Sequence, residues 1–474
     1  MNFATAVRNH LKTAETRTEN GMRAHADTSS RVLNLFSTVG SARGVDLTSQ
    51  LHAALGESED LTVRTLLWAR DVRGGAGERQ TFRNLLSSLE STDPALAGEF
   101  MHKIPELGRW DDLFTYRDAT NRQAAFAIIK QALSDGNALC AKWMPRKGPV
   151  AAELTRFLEL SPKQYRKLLV RLTKVVESQM CAKEWNSINF SHVPSLASAR
   201  YQKAFGRNAP EAYSTYIREL QKPVQQRDST VKINAGAVYP HDVVKSVARG
   251  NAAVADAQWQ ALPNYVGDAS ILPMVDVSGS MGNLGYSAPG VVQPIDVAIA
   301  LGVYLSEKNR SKFKDLILTF SGAPEFVHLQ GNLSSRMRQL SGAKWAMNTN
   351  LHAAFDRILD VALKYRVPQA DMPATLLILS DMQFDQCTRY DDTAMEMIKR
   401  KYEAVGYTVP RIVFWNLNAR YAKNGSPVQF DSRGTAHVSG FSPSVMQSVL
   451  ANDLEDYTPY NVMLKTLLNP RYNP

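Results

Sequence analysis

Short apolar runs that alternate with amphipathic segments constrain the fold of this chain most. After about Ala252 four such runs occur, and they read ILPMVD, DLILTF, ATLLILSD and RIVFWNLN. Runs that are apolar throughout are typical of parallel strands that are buried on both faces by helices. We therefore predict a doubly wound α/β domain over residues 261–474, whose ligands bind beyond the carboxyl ends of the strands.

The first half of the chain has helical rather than strand-like spacing. Leu, Ile, Val and Phe recur there at intervals of three and four, as in LTSQLHAALGES, DLTVRTLLWARDV, RQTFRNLLSSLE and QAAFAIIKQALSD. Successive short helices favour an α-solenoid of HEAT-like repeats, which we predict over residues 1–260. The connector RGGAGERQ follows a helical pattern and lacks a Gly-Lys-Ser/Thr, so we interpret it as a helix–helix turn.

Length and composition exclude several classes of protein. The chain has 474 residues, enough for two or three domains, and its apolar content of 44% is that of a globular protein. It has no run of about 18 apolar residues, which argues against a membrane span, and no secretory signal at its N-terminus. Three cysteines, Cys140, Cys181 and Cys387, suit buried thiols in a reducing compartment. We expect a cytoplasmic protein without a membrane partner.

The positive charge is concentrated in the first half of the chain. Residues 1–250 contain 35 Lys and Arg against 25 Asp and Glu, whereas residues 251–474 contain 20 of each. Localised positive charge indicates a polyanionic partner, nucleic acid above all, because phosphates bind by releasing condensed counterions. The alternative is that these residues merely keep the helices soluble.

The clearest helix of the first half begins at Ser161, with Pro162 at its first position. Its spacing predicts a buried stripe of Leu168, Leu169, Leu172, Val175 and Val176. A second face carries basic residues, namely Lys163, Lys167, Arg171 and Lys174, with Arg166 beside them. No acidic residue occurs between Ser161 and Glu177. We interpret this face as one that contacts phosphates, and the alternative is an ordinary solvated face.

The segment AKEWNSINFSHVPSLASARYQKAF combines aromatic, amide and basic side chains. Such a mixture, which includes Lys183, Arg200 and Lys203, can stack on bases and bind phosphates. A lone histidine such as His192 is more often structural, so spacing alone does not select it.

Oxygen-bearing side chains follow three elements of the predicted α/β domain. Asp276, Ser278 and Ser280 end the first strand in DVSGS, Thr349 precedes a helix in AKWAMNTNL, and Asp381 follows a strand in SDMQFD. Carboxylate and hydroxyl oxygens are hard donors that suit Mg²⁺, or else Mn²⁺ or Ca²⁺, rather than zinc. So few carboxylates would leave the ion an open position for a partner's acidic side chain or phosphate. The alternative is that each loop is only a capping turn.

DVSGSM, the Thr loop and the strand-end Asp together resemble the metal-ion-dependent adhesion site (MIDAS) of von Willebrand factor A domains. The resemblance implies that Asp276, Ser278, Ser280, Thr349 and Asp381 hold the metal ion. Two positions depart from that pattern. Asn350 stands where many members have Asp, and Asp385 is a competing carboxylate in the third loop.

A helical first half joined to such a domain resembles the TROVE family of Ro autoantigens. RGGAGERQTFRNLL, KIPELGRWDDLF and EWNSINFSHVPSLA carry the resemblance, and AKWMPRKG, SPKQYRKLL and MNTNLHAAFD are similar to an uncharacterised Ro-like branch of bacteria, phages and plants. The resemblance implies a monomeric ring of HEAT repeats closed by the A-type domain, working as a ribonucleoprotein. Such a ring binds small structured RNA outside and single-stranded 3′ ends of misfolded RNA in its hole. On this basis His192 becomes a candidate RNA contact, along with Lys163, Lys167, Arg171, Lys174, Lys183 and Arg200.

Three functional hypotheses follow. The leading one is a non-catalytic RNA-binding protein with a divalent cation in its C-terminal domain. The alternative is an adhesion-type module whose metal ion captures an acidic residue of another protein, without any RNA. An enzymatic role is weaker because no Asp-x-Asp motif, phosphate loop or His–carboxylate base accompanies Asp276.

Overall fold

A computed structural model describes most of the chain. The described ranges are residues 15–222, 226–236, 238–248, 252–282, 292–320, 322–341, 348–386, 391–420, 425–450 and 456–474. Cys387, which was predicted to be a buried thiol, lies outside them. Cys140 is buried as predicted, whereas Cys181 is exposed at the end of a short helix.

The described strands are β1 Glu15–Arg17, β2 Arg23–His25, β3 Ile271–Asp276, β4 Leu316–Phe320, β5 Glu325–His328, β6 Thr375–Ser380, β7 Arg411–Asn416 and β8 Thr435–Ser439. The helices up to residue 221 are α1 Arg31–Val39, α2 Thr48–Leu55, α3 Glu59–Arg70, α4 Arg79–Thr92, α5 Pro94–Glu99, α6 Ile104–Leu107, α7 Ala119–Ser134, α8 Ala138–Trp143, α9 Pro149–Phe157, α10 Pro162–Leu172, α11 Val176–Cys181, α12 Ser195–Asn208 and α13 Pro210–Gln221. The later helices are α14 Pro240–Ala248, α15 Ala252–Ala261, α16 Pro294–Lys308, α17 Leu333–Ser341, α18 Leu351–Lys364, α19 Ala394–Ala404, α20 Met446–Val449 and α21 Pro459–Leu467.

The chain forms two compact units. The α/β unit contains the described residues up to Thr65, together with Tyr239–Val247 and Pro263–Asn473. The helical unit contains Leu66–Val238 and Ala248–Leu262. The prediction of a helical first half and an α/β second half is confirmed at this level. Among the helices of the described ranges, none is both long enough and apolar enough to cross a bilayer.

The α/β unit is built on a six-stranded sheet in the order β5-β4-β3-β6-β7-β8. The four predicted strands are β3, β4, β6 and β7, and they pair in parallel with one another as expected. β8 extends the parallel sheet at one edge, whereas β5 pairs antiparallel with β4 at the other, so the sheet is mixed. The chain runs from β3 to one edge and then crosses to β6. The crossover places the carboxyl ends of β3 and β6 side by side, where doubly wound sheets bind ligands.

Helices cover both faces of this sheet. On one face Leu272 and Met274 share a buried cluster with Phe355 of α18 and Ile398 of α19. On the other face α16 lies so close that a Cβ at Gly302 would be 2.6 Å from Cγ2 of Val275. Because successive strand residues point to opposite faces, both faces of β3 are apolar, and this explains the unbroken apolar run ILPMVD.

Residues 15–65 complete the α/β unit, although the predicted boundary at 260/261 assigned them to the helical module. His25 and Ser426 exchange two backbone hydrogen bonds, of 3.0 and 2.7 Å. In α1 the carbonyl of Phe36 accepts from Oγ of Ser439 at 2.9 Å, and that Oγ accepts from the Gly40 amide at 3.0 Å. The boundary prediction therefore differs from the structure, because these backbone pairings join segments that are remote in sequence.

The helical unit differs from its prediction around residue 173. The predicted helix from Ser161 ends at Leu172, and a separate helix begins at Val176. Val175 between them is extended, with φ −130° and ψ 161°. Leu169 and Val176 are buried, but Leu168, Leu172 and Val175 are only half-buried, so the buried stripe is shorter than predicted. Because Lys174 lies in the connector, it does not extend the basic face of the helix.

The aromatic side chains of the segment after Ala182 are mostly core residues. Phe190, Phe205, Tyr213 and Tyr216 pack in one buried cluster. The ring centroids of Phe190 and Phe205 are 5.3 Å apart, and those of Phe190 and Tyr213 are 5.1 Å apart. Phe190 and Phe205 are therefore unavailable for stacking on bases, contrary to the interpretation of this segment.

Candidate metal centre and cationic surface

Asp276 is the last residue of β3 and is completely buried. Its Oδ1 accepts a hydrogen bond from the backbone amide of Ser278 at 2.9 Å, and its Oδ2 accepts one from Oγ of Ser380 at 2.5 Å. The hydroxyls of Ser278 and Ser280 lie 3.2 Å apart. The carboxylate is thus fixed at the end of its strand, with two hydroxyls beside it.

Asp381 follows β6 and is 1% exposed. Its side chain lies near the hydroxyl of Ser280, and its Oδ1 accepts a hydrogen bond from the amide of Gln383 at 3.2 Å. Burial, together with the negative charge of Asp381, raises the pKa of Asp276 to about 7. Burial likewise raises the pKa of Asp381. The structure therefore holds two buried carboxyl groups together that resist ionisation in each other's presence.

Thr349 is completely buried and is tied to the third loop. Its carbonyl accepts a hydrogen bond from the amide of Asp385 at 3.0 Å. The neighbouring Asn350 caps α18, where its Oδ1 accepts from the amide of Ala353 at 2.8 Å. Asn350 at this position therefore serves the helix cap, which is a role that amide oxygens perform well.

Of the two candidate carboxylates in the third loop, Asp381 fits the centre better than Asp385. Asp381 lies within electrostatic reach of Asp276 and contacts Ser280. Asp385 is half-buried, and its raised pKa comes from burial alone, opposed by a backbone hydrogen bond to Thr349. Met382, just after Asp381, has a φ of 66°, which is uncommon outside glycine and turns the loop sharply at this point.

The residues of this centre fit a small hard cation. Oδ2 of Asp381 is buried without a hydrogen-bond partner, which is costly for a carboxylate unless a cation meets it. The other candidate donors beside it are the Asp276 carboxylate and the hydroxyls of Ser278 and Ser280, all of them oxygen atoms, whereas the Thr349 hydroxyl stays a predicted ligand. Across the described residues, no three His, Cys, Asp or Glu side chains are grouped so as to hold a metal ion. An ion here would therefore need hydroxyl oxygens and water as well.

Sequence reasoning missed two parts of this centre. Ser380 precedes Asp381 and holds Oδ2 of Asp276, but strand register, which is not visible in sequence, brings the two together. Asn20, in the turn between β1 and β2, places its Nδ2 2.7 Å from the carbonyl of Gln383 and 3.5 Å from Oγ1 of Thr349. The only sequence signal for such a turn is the Asn-Gly pair at residues 20–21.

The structure leaves all eight predicted RNA-contacting residues exposed in the helical unit. They are Lys163, Arg166, Lys167, Arg171, Lys174, Lys183, His192 and Arg200. Lys163, Lys167 and Arg171 lie on the outer face of α10, whose inner face is anchored by the buried Tyr165 and Leu169. Within the described ranges, none of the seven Lys and Arg residues forms an ion pair with a carboxylate.

His192 ends a short 3-10 helix, Phe190–His192. Its neighbour Ser191 is buried, and the Ser191 carbonyl accepts from Nδ2 of Asn234 at 3.1 Å. Ser191 therefore anchors the turn, and His192 is directed outward by it. Lys183 has a φ of 62°, so it terminates α11 in a left-handed conformation.

Two family models match consecutive stretches of the chain. Residues 127–272 match a domain of unknown function, DUF2828, and residues 270–465 match another, DUF7788. Neither description assigns a function. The chain is also 27% identical over 526 aligned residues to uncharacterized protein L728 of Acanthamoeba polyphaga mimivirus, an alignment that covers 96% of this chain and 88% of that protein.

Among solved structures, the Ro (RSR) protein of Deinococcus radiodurans is similar to this chain at 14% sequence identity. The superposition covers 88% of this chain and 92% of that one, with a TM-score of 0.37. A TM-score of this size is too low to establish a shared fold, so HEAT-like repeats and a closed ring stay predictions.

Proposed function

We propose that this protein binds RNA on the exposed cations of its helical unit and holds a divalent cation in its α/β unit. The observation that supports RNA binding best is the run of seven exposed Lys and Arg residues from Lys163 to Arg200, none of which pairs with a carboxylate among the described residues. Unpaired cations on a surface attract phosphates because counterion release drives the association.

The distribution of charge between the two units also favours RNA binding by the helical unit. Residues 66–238 and 248–262 contain 27 Lys and Arg against 18 Asp and Glu, a surplus of nine. The rest of the chain contains 28 against 27. A polyanion would therefore be drawn to the helical unit rather than to the α/β unit.

The resemblance of the sequence to the TROVE family favours particular RNAs. It suggests small structured RNA and single-stranded 3′ ends as ligands, with His192 among the contacts, and a monomeric ribonucleoprotein without catalytic activity. The assignment of the α/β unit as a von Willebrand factor A-like domain with a MIDAS-like ion site rests on a separate resemblance, which DVSGSM, Thr349 and Asp381 carry. When bound, Mg²⁺ would neutralise the Asp276 and Asp381 carboxylates, with Ser278, Ser280 and Thr349 as further oxygen donors.

Charge reversal on α10 tests RNA binding. We expect Lys167→Glu/Arg171→Glu to weaken the binding of a labelled structured RNA by more than tenfold, because two attractive phosphate contacts become repulsive. The matched control is Arg357→Glu/Lys364→Glu, which reverses two exposed charges on α18 of the α/β unit. Sequencing of RNA crosslinked to the protein in cells, with the Lys167/Arg171 variant as reference, would identify the ligand.

An equal loss of affinity in both double variants would show that binding follows total charge and not this surface. A wild-type protein that binds no RNA at low salt would rule the function out.

A second candidate function is metal-dependent capture of an acidic residue from another protein. The buried pair of carboxylates favours it, since two carboxylates and three hydroxyls leave a six-coordinate ion with room for an outside ligand. This function predicts a protein partner whose pulldown survives nuclease and high salt but is lost in EDTA and with Asp276→Ala. A pulldown that nuclease abolishes would favour RNA binding instead.

A further inference from the structure

A cluster of arginines in the helical unit lies outside the surface described above. It consists of Arg70, Arg79, Arg83 and Arg109 with Asp111 and Asp112, and we refer to it as the arginine cluster. Its centre is buried, with Asp112 completely buried and Arg70 1% exposed. Nε of Arg70 donates to Oδ2 of Asp112 at 2.7 Å.

The backbone packs closely around the Arg70–Asp112 ion pair. A Cβ at Gly108 would lie 2.6 Å from Nε of Arg70 and 2.7 Å from Oδ2 of Asp112, so only glycine fits beside the ion pair. The connector RGGAGERQ is packed as closely, because a Cβ at Gly75 would be 1.9 Å from the carbonyl oxygen of Trp68. This connector is the helix–helix turn that was predicted, and it ends by placing Arg79 at the start of α4.

The remaining acceptors of the cluster are taken by two more arginines. Oδ1 of Asp112 accepts from Nε of Arg83 at 2.7 Å, and Oδ1 of Asp111 accepts from Nε of Arg109 at 2.8 Å. The guanidinium of Arg109 lies 3.5 Å from the ring centroid of the half-buried Trp143. Two carboxylates therefore hold three guanidinium groups in place.

Arg79 is the fourth arginine, and it is exposed. Among the described residues it has neither a hydrogen-bond partner nor a carboxylate partner. Arg79 and Arg83 are one helical turn apart on α4, so their side chains share a face. Partial burial lowers the pKa of Arg79, and the charges of Arg109 and Arg83 lower it further against the opposing effect of Asp111 and Asp112. The cluster contains four arginines and two aspartates, so the exposed guanidinium faces an environment whose positive charge the aspartates offset only in part.

We propose that the arginine cluster is an additional phosphate site, in which Arg79 contacts a backbone phosphate of the bound RNA. The guanidinium fork matches two phosphate oxygens, and a phosphate relieves the repulsion from the neighbouring arginines. A nucleic-acid phosphate suits the site better than a protein carboxylate, because the same unit carries the surplus of nine positive charges that draws a polyanion. The inference rests on the proposed RNA-binding function and adds a site to it.

The test compares Arg79→Gln and Arg79→Lys with the wild-type protein in RNA-binding titrations over a series of salt concentrations. Arg79→Gln should weaken binding roughly three- to tenfold and reduce the slope of log affinity against log salt by about 0.7 to 0.9, the value for one lost phosphate contact. Arg79→Lys should keep the slope, because it keeps the charge. Since Arg79 makes no described hydrogen bond, both variants should melt at the wild-type temperature.

Arg357→Gln is the matched control, because it removes one exposed charge from a helix of the α/β unit. Unchanged affinity and slope in Arg79→Gln, alongside a loss in Lys167→Glu/Arg171→Glu, would overturn this site and leave RNA binding standing. If the wild-type protein binds no RNA, the proposed function itself fails. A loss of affinity in Arg79→Gln with an unchanged salt slope would show that Arg79 does not neutralise a phosphate, and it would overturn the proposed contact.

Discussion

At the scale of single residues, the buried pair Asp276 and Asp381 is what favours the proposed metal centre over a set of capping turns. A capping aspartate is partly exposed and satisfied by backbone amides, whereas Asp276 is completely buried beside a second carboxyl group. Buried like charges repel each other strongly because the interior screens them poorly. Such a pair is stable only when protonated or when a cation lies between the two groups.

Asp276→Asn should therefore abolish binding of Mn²⁺, used as a spectroscopic probe for Mg²⁺. We expect a loss larger than the roughly 10- to 100-fold that removing an outer-shell partner costs, because a direct ligand is removed. In EDTA the same variant should melt at a higher temperature than wild type above pH 7, since the repulsion from Asp381 is gone. Asp360→Asn, which removes an exposed carboxylate from α18, is the control for both measurements. Wild-type Mn²⁺ affinity in Asp276→Asn would exclude the centre.

His437 of β8 should make stability depend on pH. Burial lowers its pKa to about 4, whereas the unfolded chain titrates near 6.5. Between these values the unfolded chain binds the proton and the folded protein does not, so stability should fall as pH is lowered from about 6.5 toward 4. The largest contribution is about 1.4 kcal/mol per pH unit. Denaturant unfolding of His437→Gln should show a shallower pH dependence than wild type. His328→Gln, at an exposed position, should leave the dependence unchanged, and parallel curves for His437→Gln and wild type would contradict this assignment.

The residues of the proposed metal centre could be predicted from the sequence, but most of the hydrogen bonds that join them could not. Asp276, Ser278 and Ser280 could be predicted together because strand alternation and one glycine place them at one point. The hydrogen bond from Ser380 to Asp276 depends on the register between β3 and β6, and the contact of Asn20 with Thr349 joins residues 329 positions apart. No local pattern encodes either contact.

At the scale of elements, apolar periodicity predicted the strands whose residues are buried on both faces. β3, β4, β6 and β7 are such strands, whereas β5 and β8 were missed. β5 is a half-exposed edge strand of four residues. β8 reads TAHVS and is buried along its whole length, because α1 and α21 cover it rather than because its residues are apolar. Burial imposed by neighbouring elements leaves no periodic signal in a sequence.

The packing of α1 on β8 is tested by Gly40→Ala. A Cβ at this position would lie 2.7 Å from the carbonyl oxygen of Ser439, so the helix must move off the strand. We expect a loss of about 1 to 3 kcal/mol in the free energy of unfolding, as in other overpacked sites. The control is Gly236→Ala, because Gly236 has open space where the Cβ would lie. Gly44→Ala is less suitable, because Gly44 has a positive φ that alanine rarely adopts. Equal stability of Gly40→Ala and Gly236→Ala in denaturant titrations would refute the close contact.

At the scale of the whole molecule, the units are not consecutive halves of the chain. The α/β unit takes its N-terminal hairpin and α1 from one end of the sequence and its sheet from the other. The apolar pattern changes after about Ala252 because the strands of the six-stranded sheet follow, the first of them at Ile271, and this led to the predicted boundary. Residues 31–65 have the helical spacing of the unit that follows them, so only tertiary pairing assigns residues 15–65 to the α/β unit.

The exposed cations and the proposed metal centre belong to different units, and this separation predicts two independent responses. The unpaired cations belong to the helical unit, and the buried carboxylates Asp276 and Asp381 belong to the α/β unit. Raising the salt concentration should therefore weaken RNA binding steeply, because each neutralised phosphate contributes to the salt slope. The same salt should leave Mn²⁺ affinity nearly unchanged, since buried charges are screened far less than exposed ones.

Removing the metal ion is the converse experiment. EDTA should lower the melting temperature of the α/β unit, because an ion that binds only the folded state stabilises it by mass action. RNA affinity measured in EDTA, at a temperature where the protein stays folded, should equal that in Mg²⁺ after correction for ionic strength. A loss of RNA affinity in EDTA that Asp276→Asn reproduces would show instead that the metal centre takes part in RNA binding. It would place an RNA phosphate in the open position of the ion, and the separation of roles between the units would then be wrong.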